Sequence, residues 1–178
     1  RRGGIFTTTG LVMNLDAKNI SSYPGSGNTW FDLTGNGNNV TLTNGPTWNF
    51  NGYFVNDADS YFTGSGTASI PTGNSSYSMF VYARMSSWGD QRGFISIGGY
   101  GTNNQSNAIR ALATLGNFNH YWWFNDLAIN NNNANVALNK WFYLGATFDG
   151  TTRKVYVDGI LVGSDTPSNH NVTSTTIQ

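Results

Sequence analysis

The chain has 178 residues, nine Lys plus Arg against nine acidic residues, zero net charge, 15% aromatic residues, 22 glycines and no cysteine. That length suits one hydrophobic core, the zero net charge leaves no electrostatic footprint for nucleic acid or an anionic membrane, and the lack of cysteine excludes disulfides, thiolate metal sites and cysteine nucleophiles. All nine acids are Asp and the only lysines are Lys18, Lys140 and Lys154, so two strong helix formers are scarce while Asn, Thr and Gly abound, and an all-β chain of short strands and tight turns is expected.

In chain order, Arg1–Thr9 is a basic, Gly/Thr-rich arm or linker, and residues 10–178 form the domain. A first strand is predicted at Leu11–Asp16, followed by a long loop through Tyr23-Pro24-Gly25-Ser26-Gly27. Short strands are expected near Val40–Leu42, Tyr53–Val55 and Ser60–Thr63. Tyr77–Met85 alternates Met79, Val81, Ala83 and Met85 with Phe80, Tyr82 and Arg84, the period of two that a strand with one apolar face requires. Phe94–Ile97, Ala108–Thr114 and Asn119–Asn125 continue in that style, and the nearly pure Asn run from Asn130 to Asn135 reads as a polar loop. Trp141–Phe148, Arg153–Val157 and Ile160–Gly163 are joined by segments containing Asp149-Gly150 and Asp158-Gly159. Asp-Gly between alternating apolar runs marks a hairpin, because the turn needs positive φ. No apolar run approaches the roughly 20 residues of a membrane-spanning helix, so membrane insertion is not expected. Asn-X-Ser/Thr triplets at Asn19, Asn39, Asn74, Asn104 and Asn171 carry little weight in so Asn-rich a chain.

Several strings, in order, resemble the laminin G-like domains of the concanavalin A-like lectin/glucanase superfamily, of the type found in bacterial and phage surface proteins. They are Gly10-Leu11-Val12-Met13-Asn14-Leu15-Asp16-Ala17, Ser22-Tyr23-Pro24-Gly25-Ser26-Gly27 and Trp30-Phe31-Asp32-Leu33-Thr34-Gly35-Asn36-Gly37-Asn38-Asn39. Further on come Asn56-Asp57-Ala58-Asp59-Ser60-Tyr61, Asn139-Lys140-Trp141-Phe142, Thr147-Phe148-Asp149-Gly150 and Val155-Tyr156-Val157-Asp158-Gly159. The resemblance implies an antiparallel two-sheet jelly-roll sandwich. Such domains usually continue past the position of Ile177-Gln178, so the last strands are expected to be missing or supplied elsewhere, which would leave an open edge for strand addition.

The enzyme reading of that fold is glycoside hydrolysis by two carboxyl groups. The glucanase branch uses Glu for both, and this chain has none. Asp149 and Asp158 have turn roles, and His120 and His170 lack Ser or Cys companions in any triad pattern. No catalytic residue is assigned and the chain is read as a non-enzyme. The ligand candidates lie on the loops Ser87–Arg92 and Tyr100–Asn107: Trp88, Asp90, Arg92, Tyr100, Asn103, Asn104 and Asn107. Aromatic rings suit the C–H face of a sugar, and amides, guanidinium and carboxylate suit its hydroxyls. The alternative for Trp88 is packing over the end of the sandwich. Trp123 joins the candidates from the run Tyr121-Trp122-Trp123-Phe124, in which Tyr121 and Trp123 take one face of a strand and Trp122 and Phe124 the other. One pair belongs to the core and the other packs on a neighbouring layer or forms an exposed platform. Calcium is the cofactor the resemblance suggests, with Asn104 and Asn107 as ligands, although a hard cation wants carboxylates that this loop lacks. The expected role is a structural or adhesion module of a virion or cell surface, part of an oligomeric assembly, whose partner is a host glycan. A decoration protein contacting only neighbouring structural subunits is the alternative.

Overall fold

The computed structural model describes residues 8–57, 59–130 and 135–178. Most of the expected arm, and the centre of the Asn130–Asn135 loop, lie outside those residues. The described residues are all-β and contain no helix. The strands are β1 (Thr29–Trp30), β2 (Val40–Thr43), β3 (Thr47–Asn49), β4 (Tyr53–Val55), β5 (Tyr61–Thr63), β6 (Tyr77–Arg84), β7 (Gly93–Gly98), β8 (Ser106–Ala111), β9 (Phe118–Tyr121), β10 (Leu127–Ile129), β11 (Trp141–Phe148), β12 (Arg153–Val157) and β13 (Ile160–Asp165). The chain divides into two compact units, residues 1–70 with 177–178, and residues 71–176.

The first unit holds a three-stranded sheet in the order β1-β2-β5 and the β3-β4 hairpin. Its interior is aromatic: Phe54 stands 4.7–5.1 Å from the ring centroids of Tyr23, Trp30 and Phe62. The Trp48 indole donates to the Ala17 carbonyl at 2.9 Å. Leu11–Asp16, predicted as a strand, is irregular. The reason lies in the Asp32–Asn38 loop. Asp32 Oδ1 accepts the Asn14 N–H at 2.9 Å, while the Asn36 and Asn38 side chains donate to the Val12 carbonyl at 3.0 and 2.6 Å. Side chains thus take the backbone groups that a sheet ladder would have used.

The second unit is a sandwich of two antiparallel four-stranded sheets, β10-β9-β8-β7 and β13-β12-β11-β6. The alternation read in the sequence fills the space between them. Met79 from β6, Ile109 from β8, Phe118 from β9, Ile129 from β10, Phe142, Leu144 and Ala146 from β11, and Val155 and Val157 from β12 form one buried cluster. These residues recur at every second position because a strand alternates its side chains between faces. The closing hairpins also follow the sequence: Asp158 and Gly159 take φ of 48° and 78° between β12 and β13. Three short strands, β1, β3 and β10, carried no usable periodicity at two or three residues each.

Candidate functional site

In the β10-β9-β8-β7 sheet, Ile109 pairs with His120 and Ala111 with Phe118, and these residues face the core. The intervening pairs, Ala108 with Tyr121 and Arg110 with Asn119, face the other way. Ser96 lies opposite Ala108, and Ala128 opposite Asn119, on that same outward face. The face is therefore small and polar around one ring. The Arg110 guanidinium sits 3.7 Å from the centroid of Tyr121, a cation held against the electron-rich face of an aromatic ring. Burial raises the Tyr121 pKa above its ordinary value, with nearby Arg110 opposing the rise, so this phenol stays neutral in the physiological range.

Tyr100 stacks near Tyr121 with centroids 6.1 Å apart and planes at 27°. Trp123 meets both rings edge-on, 5.8 Å from Tyr100 and 5.5 Å from Tyr121. Tyr100 is 47% exposed and Trp123 37%, so they form the accessible rim above a buried Tyr121. Trp123 has φ of 80°, a left-handed conformation in which a bulky side chain is an outlier and which recurs at binding sites. Two consequences follow from that turn. β9 ends at Tyr121, short of the predicted Asn125, and Phe124 is exposed rather than sharing the core with fully buried Trp122.

Asp126 completes the polar set: its carboxylate accepts the Trp122 N–H at 2.9 Å and the Asn119 Nδ2 at 3.4 Å. A carboxylate can only accept here, which fixes the Asn119 amide with Nδ2 towards Asp126. Its Oδ1 is then buried without a partner, as is Nε of Arg110. Arg110 forms no ion pair with a described residue. Orphaned buried polar groups are uncommon and each costs about 1–3 kcal/mol.

Of the predicted ligand residues, the structure brings together Tyr100 and Trp123. Asn104 lies close by in the network: its Oδ1 accepts from Asn125 at 2.8 Å, and its carbonyl accepts the Asn171 N–H at 2.9 Å. Asn103 is exposed on the same loop. Asn107 is instead buried, with Oδ1 accepting from His170 Nε2 at 2.7 Å. Both amide oxygens already accept internal hydrogen bonds, and these two side chains bring no carboxylate, which a hard cation wants. Trp88 packs edge-on against Phe118 at 5.4 Å and donates to the Leu112 carbonyl at 2.8 Å, so its ring serves the end of the sandwich. Asp90 and Arg92 are exposed where the Gln91 N–H and the Arg92 carbonyl bond to Ala111. Ala111 is three residues from the Ala108–Tyr121 pair, about 10 Å along a strand, so these two residues stand apart from the Tyr100 rim. Arg110, Asn119 and Asp126 were not singled out from sequence. Their grouping depends on cross-strand register.

Beneath this sheet, on the core side, lies a buried polar and aromatic cluster. Arg153, fully buried, forks onto both oxygens of Asp165 at 2.9 and 2.6 Å and donates to the Asn125 carbonyl at 2.7 Å. Its guanidinium lies 4.3 Å from the Trp122 ring, on which His170 stacks at 4.0 Å. The Tyr77 hydroxyl accepts from the Trp122 indole at 3.1 Å and is hydrogen-bonded to His120 Nε2 at 3.1 Å. Burial and the Arg153 charge hold His120 well below the ordinary histidine range and bring His170 down to about 4. This cluster anchors, from below, the Trp122–Asp126 segment that carries the rim.

A two-sheet antiparallel sandwich of this kind belongs to the lectin-like β-sandwich class. More particularly, the chain belongs to the concanavalin A-like lectin/glucanases superfamily: a laminin G-type family model of it matches residues 56–177. No curated protein sequence matches. Among solved structures, a mutant of the HCR/D protein is similar with a TM-score of 0.63 at 16% identity, over 96% of this chain and 43% of that one. A structure of botulinum neurotoxin type C, whose cell entry is dependent upon interaction with two ganglioside molecules, is similar at 0.60 and 16%, over 93% and 42%. A receptor binding domain follows at 0.55 and 18%, over 93% and 42%. The chain thus spans less than half the length of these proteins, and the likeness concerns the fold. Among the described residues no helix is long and apolar enough to cross a membrane.

Proposed function

We propose that the chain is a non-catalytic glycan-binding module of a virion or cell surface, with its site on the outward face of β8 and β9. The observation that carries this reading is the rim of Tyr100 and Trp123, Trp123 held at φ of 80°, beside Arg110, Asn119 and Asp126. Flat aromatic rings cover the apolar face of a pyranose, while amide, guanidinium and carboxylate meet its hydroxyls. The superfamily membership and a structural neighbour that interacts with gangliosides support a saccharide as the ligand class. The test is a glycan array followed by saturation-transfer NMR. At least one saccharide should bind, with affinity lowered tenfold or more by Trp123→Ala or Tyr100→Ala and left intact by Trp88→Phe. Retained binding in both rim variants would overturn the placement.

A second reading, assembly with neighbouring structural subunits, has its own support. On the solvent face of the other sheet, Tyr82 stacks on Trp141 at 4.9 Å and on Tyr143 at 4.3 Å, and Phe80, Tyr82 and Tyr143 are each more than half exposed. An exposed aromatic patch of this kind commonly marks a protein contact. Tyr82→Ser with Tyr143→Ser should then abolish self-association or incorporation into a particle, read by analytical ultracentrifugation and by particle composition. It should leave glycan binding unchanged.

A further inference from the structure

Resting on the glycan reading of the Tyr100 and Trp123 face, we infer that the ligand is an uncharged sugar, and that one of its hydroxyl or acetamido groups bridges Arg110 and Asn119.

Arg110 and Asn119 are cross-strand partners on β8 and β9, and such pairs place their Cβ atoms about 4.5–5.5 Å apart. Each presents one unsatisfied buried atom, and the two are complementary: Arg110 Nε is a donor and Asn119 Oδ1 an acceptor. A group that satisfies both must accept and donate at once. A sugar hydroxyl does so with one oxygen, and an acetamido group does so with its carbonyl and N–H. A carboxylate or sulfate can only accept. It would pair with Arg110 but set its own lone pairs against Asn119 Oδ1 and bring a second negative charge near Asp126, whose carboxylate already holds the Asn119 amide at 3.4 Å. The charges agree with this reading, since the face carries one guanidinium and one carboxylate and so offers no net attraction to an acidic sugar.

The two orphaned atoms are shielded in the ligand-free protein, so the sugar must displace something to reach them. In this proposal the side chain that moves is Tyr100. It stands against Tyr121, is half exposed, and is flanked by Gly99 and by Gly101 at φ of 92°. Binding swings this ring from Tyr121 onto the sugar, and the desolvation cost of the two polar atoms is recovered in the complex.

The experiment titrates the intact chain with lactose, N,N′-diacetylchitobiose and sialyllactose, at low and high salt, by NMR and calorimetry. A neutral sugar should bind at least as tightly as its acidic counterpart, with affinity nearly independent of salt because no net charge is neutralised. Asn119→Leu and Arg110→Met, each checked for an unchanged melting temperature, should weaken neutral-sugar binding tenfold or more. Asn119→Leu should also narrow the preference for lactose over sialyllactose, a change in ratio that mere loss of packing does not produce. Should both variants destabilise the fold, the salt dependence and the neutral-to-acidic ratio of the unaltered protein still decide. Tighter, salt-sensitive binding of sialyllactose, or full affinity for neutral sugars in both folded variants, overturns the inference while leaving the glycan reading in place. Absence of any bound saccharide on a broad array overturns the glycan reading itself.

Discussion

Trp123 holds a backbone conformation that costs the fold free energy. An L-residue in the left-handed region is disfavoured by roughly 1–2 kcal/mol relative to the right-handed one, whereas glycine carries almost no such penalty. At an ordinary helix or strand position Gly is the less stable replacement, so a reversal of that order is diagnostic. With φ of 80° at this position, Trp123→Gly should be more stable than Trp123→Ala by about 1 kcal/mol. Urea unfolding of the two variants checks this, and both should lose the ring contacts with Tyr100 and Tyr121 equally. Equal stabilities would mean that the backbone relaxes once the indole is gone, so that the strain belongs to the side chain and not to the turn.

Arg153 and Asp165 face each other in the β12–β13 ladder, so a single cross-strand pair ties the edge strand to the sheet interior. The same guanidinium holds the Asn125 carbonyl, which links the edge hairpin to the segment bearing Trp123 and Asp126. Arg153 is fully buried while the Asp165 side chain is a third exposed, so removing Asp165 leaves a buried guanidinium short of its partner at a cost of about 1–3 kcal/mol, whereas replacing both with apolar groups is milder. Asp165→Ala should therefore destabilise by about 1–3 kcal/mol, and Arg153→Met together with Asp165→Leu by much less than the sum of the single changes. Chemical denaturation of the four proteins completes the cycle, and additive losses would refute the pairing as an energetic unit. This pair also shows what a sequence conceals at the level of elements. Trp141–Phe148 and Arg153–Val157 were legible to the residue because local alternation and Asp-Gly turns define both ends. Leu11–Asp16 misled because its apolar run is intrinsically strand-like while its hydrogen bonds go to Asp32, Asn36 and Asn38. In the site, Tyr100 and Trp123 were visible as aromatic residues next to polar loops. Arg110, Asn119 and Asp126 were not, because their chemistry arises only when β8 and β9 pair in one particular register.

For the second unit as a whole, two neutral histidines in one buried cluster couple folding to acidity. His120 is fully buried and His170 nearly so, and the cation that faces both is Arg153, whose own partner Asp165 is committed to it. Burial first and that charge second depress both pKa values, His170 to about 4. An unfolded histidine takes up a proton near pH 6.5, so between there and the folded pKa the unfolded state binds protons that the native state refuses. Stability therefore falls as pH falls through this window, by up to about 1.4 kcal/mol per pH unit for each histidine, and His170's share levels off below about 4. The carboxylates act elsewhere. Hydrogen bonds from Asp59 and Ser60 lower Asp57, and those from Thr152 and Thr151 lower Asp149, so their contribution is present above pH 3.8 and is lost only beneath it. The slope between pH 6.5 and 4.5 consequently belongs to the histidines. Denaturant midpoints measured across that range should drop steadily in the native sequence and about half as steeply in His170→Phe, which keeps a ring on Trp122 but takes up no proton. A flat profile in the native sequence would show that both histidines take up protons in the folded state, and would place a counter-charge in the cluster that the Arg153–Asp165 arrangement does not contain.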